Sequence, residues 1–165
     1  MRLRSALPAA LTTLAAACTT TAFTPDGDGD RLPVTRLRAE PYSFTYNSGL
    51  RQPARFVIRD EVEWRAAWDA VHGSLSPKPE LPAVDFAREM VVVAALGERS
   101  SGGYGILVDS ARAAGTGALV YLRTIAPGTR CGTTGALTQP VDLARLPRRE
   151  GGVEFRERAE VTRCD

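Results

Sequence analysis

Three side chains in this sequence could take part in covalent chemistry: Ser101, Cys131 and His72, the single histidine. A hydrolase built from them would use the imidazole to take the proton of the hydroxyl or thiol as it attacks a carbonyl, with a third group orienting the ring. The sequence shows no motif that joins His72 to either nucleophile or supplies the orienting group. One histidine and the cysteine spacing give no zinc pattern. Asp26, Asp28 and Asp30 alternate with Gly27 and Gly29 like the start of a calcium loop. Arg31, however, stands where such a loop needs glycine, and Leu37 where it needs a bidentate acid. Gly115–Leu119 (GTGAL) precedes a strand instead of following one and opening a helix, so it lacks phosphate-cradling geometry. No cofactor and no metal are expected, and a hydrolase using Ser101 or Cys131 is the weakest of the functional readings.

Charge argues against nucleic acid as a partner. Met1–Ala17 contains Arg2 and Arg4 and no acid; removing it as a leader takes two of the 21 Lys+Arg residues and leaves 19 against 19 Asp+Glu. A balanced chain lacks the basic face that neutralises phosphates. The leader has a positive start, the apolar stretch Ala6–Ala17 and then LAAAC at Leu14–Cys18, a layout suited to export. Twelve residues are too few to span a hydrocarbon core of ~30 Å, which takes about 20 helical residues. The ending resembles a bacterial lipoprotein signal, which implies that Cys18 is lipidated and that the protein sits in the bacterial cell envelope, attached to a membrane. Export leaves Cys131 and Cys164 in an oxidising compartment that favours a disulfide over two separate thiols. With the two 33 positions apart, the chain-entropy model gives roughly 3 to 4 kcal/mol of stabilisation.

The elements that would position these residues are mostly strands. Residues 18–40, rich in Thr, Asp and Gly, read as a flexible tether, and residues 41–165 as a single globular domain. Tyr42, Phe44 and Tyr46 alternate with polar residues and predict a strand that turns at Asn47–Gly49 into a second one at Arg55–Arg59. Asp60 and Glu63 have capping-box spacing, Trp64, Trp68 and Val71 share one helical face, and Gly73 stands where the helix ends. His72 falls in the last turn, where the helix dipole favours its charged form. Pro77, Pro79 and Pro82 connect this helix to Met90–Leu96, an apolar run with three consecutive valines that predicts a strand covered on both faces.

Gly97, Gly102 and Gly103 then bracket a polar reversal, after which Tyr104, Ile106 and Val108 alternate. The pattern predicts a hairpin whose tip, Ser100–Tyr104, stands in solvent. Ser110–Gly117 reads as a turn, Leu119–Ile125 and Leu137–Leu146 as strands joined by the loop Ala126–Gly135, and the stretch around Val153 and Phe155 as an edge strand. About seven short strands and one helix imply a mainly β (α+β) fold, an antiparallel sandwich or partly open barrel with the helix packed on it.

The segment GERSSGGYGI at Gly97–Ile106, followed by Pro127, Gly128 and Cys131, by ALTQP at Ala136–Pro140 and by Leu146 and Pro147, resembles the C-terminal domain of the PrcB family. The resemblance covers roughly residues 82–155. That family is named for a subunit that associates with and stabilises a secreted subtilisin-like protease. The resemblance therefore implies a non-catalytic, lipid-anchored envelope protein that binds another protein, an exported protease among the candidates. Ser100, Ser101, Gly102, Gly103 and Tyr104, with the loop around Cys131, are the expected contact surface. An alternative is protease inhibition, because a Ser, Gly, Gly, Tyr loop between strands is similar to the inhibitory loop of chagasin-like proteins.

Overall fold

The computed structural model describes residues 29–38, 47–73 and 75–165. The leader, Cys18 and the strand expected over Tyr42–Tyr46 lie outside the described residues. The elements run β1 (Arg31–Leu32), β2 (Thr35–Arg36), β3 (Ala54–Ile58), α1 (Glu61–His72), β4 (Glu89–Ala95), β5 (Gly105–Ala114), β6 (Gly117–Pro127), β7 (Val141–Pro147) and β8 (Val153–Thr162). The strands form two four-stranded sheets, ordered β1-β5-β6-β8 and β2-β7-β4-β3. All neighbours pair antiparallel except β6 and β8, which run parallel because β7 joins the other sheet between them.

The sheets stack face to face, and α1 covers the far side of the second, so the sandwich has three layers. Strand β4 belongs to both interfaces. Met90, Val92 and Ala94 point to the first sheet, against Ile106, Val108, Val120 and Leu122, while Val91, Val93 and Ala95 meet Trp64, Trp68 and Val71. Every residue from Met90 to Ala95 has 0% exposure, which explains why the run carries no polar side chain. Burying each of the three valines contributes about 1.5 to 3 kcal/mol relative to exposure.

The helix forms where its caps and periodicity place it. Asp60 is extended at φ −143°, and its carboxylate accepts the Glu63 amide at 2.8 Å. Trp64 and Trp68 pack with their rings tilted by 60° and their centroids 5.3 Å apart. Their indole N–H groups donate to the carbonyls of Pro82 (2.9 Å) and Pro79 (3.2 Å). The proline-rich connector thus satisfies both buried donors with residues that have no amide proton of their own to satisfy.

His72 departs from expectation. It is fully buried, its ring centroid 3.9 Å from that of Trp68, and its Nδ1 is 3.2 Å from the Trp68 carbonyl. Burial drives its pKa below the usual histidine value, outweighing the Trp68 hydrogen bond, which favours the charged form; Lys78 lowers it further. The helix dipole acts on a ring that has lost its water.

Three further expectations are corrected. Arg31–Leu32 and Thr35–Arg36, inside the stretch read as tether, pair with β5 and β7, and Leu37 is buried in the core. Ser110–Ala114, read as turn, continues β5 past an irregularity between Val108 and Ser110, with Ala111 wholly buried. The apolar strand and the alternating one do not form a hairpin. Strand β4, apolar on both faces, takes a central place between β3 and β7, whereas the half-polar β5 joins the sheet whose outer face meets solvent.

Asp142 locks the sheets together near β2. Its Oδ2 accepts the Val108 amide at 2.7 Å and Arg36 Nε at 3.1 Å, and Arg36 Nη2 donates to the Val108 carbonyl at 3.0 Å. Burial raises the Asp142 pKa despite these partners, the Val108 amide and Arg36 opposing it. Across the opposite edge, Arg55 of β3 reaches Glu157 of β8 at 2.7 Å.

Trp68→Ala is expected to lower unfolding free energy by about 3 to 5 kcal/mol in urea titrations, as large buried aromatics do. His72 has a lowered folded pKa, so its contribution is complete above pH ~6.5 and is lost as pH falls towards the folded value. Urea titrations across this range should show wild type losing stability with a slope of at most about 1.4 kcal/mol per pH unit that His72→Phe lacks. Asp142 has the opposite sign: with its folded pKa raised, its contribution is present below pH ~4 and declines as pH rises through the folded value. Asp142→Asn should flatten that decline.

Candidate functional site

The expected contact residues lie in the connection from β4 to β5, which crosses from one sheet to the other at one end of the sandwich. Its bends need glycine. Gly97 has φ +78°, and a Cβ there would stand 2.8 Å from the nitrogen of Pro53; Gly103 has φ +86° with Pro127 and Thr133 close by. Both positions sit in the left-handed region that side chains disfavour.

This crossover is tied to the loop between β6 and β7. Arg99 and Thr138 exchange backbone hydrogen bonds at 2.8 and 3.0 Å, and the Gly102 amide donates to the Thr134 carbonyl at 2.9 Å. Thr138 Oγ1 donates to the Ser101 carbonyl at 2.9 Å, and Gln139 Nε2 to Glu98 Oε2 at 2.9 Å. Arg99 donates to the Leu96 carbonyl at 2.8 Å and lies over the Tyr104 ring, 5.9 Å from its centroid.

The second loop is pinned in turn to the end of β8. Gly128 donates to Thr162 at 3.0 Å, Cys131 to Gly128 at 3.0 Å, and Cys131 is joined to Cys164 by a disulfide with Cα atoms 5.1 Å apart. The cysteine pairing expected from the compartment is therefore present. Crossover, loop and strand end form one platform held by backbone bonds and a covalent bridge.

Within it, Ser100 and Gly103 are exposed, and Ser101, Gly102 and Tyr104 are half-buried. Tyr104 packs against the core between the sheets. Leu137 is 58% exposed beside this surface and precedes β7, where the apolar pattern predicted a strand from Leu137 onwards. Its neighbours Gly135 and Ala136, which suit a bend, were the available signal.

The groups that could do chemistry are dispersed. Cys131 is held in the disulfide, Ser101 Oγ donates to the Gly102 carbonyl at 3.2 Å, and His72 is sealed beneath Trp68 in the helix layer. Among the described residues no cluster of His, Cys, Asp and Glu could hold a metal, and no helix is long and apolar enough to cross a membrane.

Residues 90–147, about a third of the chain, match the family model described as PrcB C-terminal. The matched segment runs from β4 to β7 and contains both loops of the platform. No curated protein and no solved structure matches the chain.

The disulfide closes a separation of 33 residues, so Cys131→Ser is expected to reduce stability by roughly 3 to 4 kcal/mol in urea titrations. The effect should equal that of reducing the wild type. Gly102→Ala would bring a Cβ to 2.5 Å from Thr134 Oγ1, and exchange of the amide at position 102 should quicken as the two loops part.

Proposed function

We propose that this chain, with its PrcB C-terminal segment at residues 90–147, is an exported, non-catalytic protein that binds another protein through Ser100–Tyr104 and the disulfide-bound loop. The observation that supports the reading best is the tying of the two loops, Gly102 to Thr134 and Ser101 to Thr138, which fixes a surface before any partner arrives. A preformed surface binds with little ordering cost. Exposed Ser100, Gly103 and Leu137 provide its contact groups.

The absence of catalysis belongs to the proposal and is supported by the disulfide at Cys131, the backbone bond of the Ser101 hydroxyl and the burial of His72. An inhibitory wedge would need a projecting loop; half-buried Ser101 and Tyr104 suit a flatter contact. The partner is an envelope protein, an exported protease being the class the family resemblance suggests, and the lipid at Cys18 would hold the chain at the same membrane.

Pull-down from envelope extract, with the partner identified by mass spectrometry, tests the reading. Ser100→Arg and Thr133→Arg alter exposed positions and should leave the thermal transition unchanged. Recovery of the partner should fall about tenfold or more, as when an interface centre is disrupted by more than ~1.4 kcal/mol. Equal recovery by both folded variants would remove the platform from the interface.

A further inference from the structure

The outer face of the β1-β5-β6-β8 sheet carries a groove of about 420 Å³ whose lining includes Asp109, Ser110, Tyr121, Arg123, Arg156 and Arg158. Register explains how it arises. Ser110, Tyr121 and Arg156 stand side by side across three strands, on the face opposite the buried Ala111 and Val120. In the next row of the same face Arg123 lies directly opposite Arg158. Like charges so placed repel, by an amount that the surrounding water and salt reduce.

The surrounding acids offset it through ion pairs at two of the three arginines. Arg123 is answered by Asp109 (3.3 Å) and Glu160 (3.4 Å), Arg156 by Glu154 (3.0 Å), and Glu157 is engaged by Arg55 on the other sheet (2.7 Å). Among the described residues, Arg158 has no ion pair. The half-buried Ser110 and Tyr121 likewise have no hydrogen bond there for their hydroxyls. One guanidinium and two hydroxyl groups are left, on a concave surface open along the edge strand β8.

We propose that this groove binds a single carboxylate on an extended acidic segment of another protein. The Arg158 fork would grip both carboxylate oxygens, with Tyr121 and Ser110 donating from below. Carboxylate fits better than phosphate because Arg158 is the one arginine of these rows without an ion pair among the described residues, and Asp109 would repel a second negative charge. An extended backbone can run along the open side of β8, as in strand addition. The groove is distinct from the Ser100–Tyr104 platform and stands or falls independently of it.

The test is an NMR titration of the intact folded chain with a short blocked peptide carrying one glutamate, its glutamine counterpart and inorganic phosphate. Saturable shifts are expected at Ser110, Tyr121 and Arg158 with the glutamate peptide alone. Arg158→Gln, at an exposed position, should weaken that binding about tenfold or more, since it removes the charge-assisted hydrogen bonds to the carboxylate. Ser100→Arg should leave it unchanged. The proposal is overturned by absent or non-saturable shifts, by equal binding of the glutamine peptide, by tighter binding of phosphate, or by unaltered affinity in Arg158→Gln.

Discussion

Double burial of β4 is the constraint on which the rest of this structure depends. A strand with no polar side chain from Met90 to Ala95 needs cover on both faces, and neither the sheet nor the helix alone provides it. The opposing sheet covers Met90, Val92 and Ala94, and the tryptophan face of α1 covers Val91, Val93 and Ala95. Placing β4 between β3 and β7 satisfies its backbone groups as well. The chain leaving β4 must then climb to the other sheet, and that climb is the Gly97–Tyr104 connection. The platform is a by-product of core packing: its position is fixed by what lies beneath it.

Much of this was legible in sequence where a local signal and its structural cause coincide. Asp60 and Glu63 mark the start of the helix because the cap bonds residues three apart, and Trp64, Trp68 and Val71 reveal its buried face because 3.6 residues make a turn. The apolar run at Met90 announces burial on both sides, and the export expected from the leader predicts the pairing of Cys131 with Cys164.

What was not legible depends on partners far away in the chain. Glycines at 97 and 103 signal a change of direction equally well for a hairpin and for a passage between sheets. The small residues Ser110–Ala114 look like a turn, yet Ala111 is small because it packs inside the sandwich. Arg31 and Thr35 carry no strand pattern in two-residue segments; pairing with β5 and β7 creates the strands. For His72, the local cue was the helix end and the deciding factor was burial. Asp142 was invisible because its role is to satisfy Val108, 34 positions earlier.

The order of the strands along the chain has an effect on the molecule's durability. The chain passes between the sheets from β1 to β2, β4 to β5, β6 to β7 and β7 to β8, so neither sheet is made of one contiguous stretch. A single backbone cut in the exposed stretch between β6 and β7, on either side of Cys131, would yield two fragments that remain interleaved. The carboxyl-terminal piece would still lie in both sheets through β7 and β8. For a cut after Cys131, the bridge to Cys164 would also join the pieces covalently. A body so threaded resists separation after one break in that stretch.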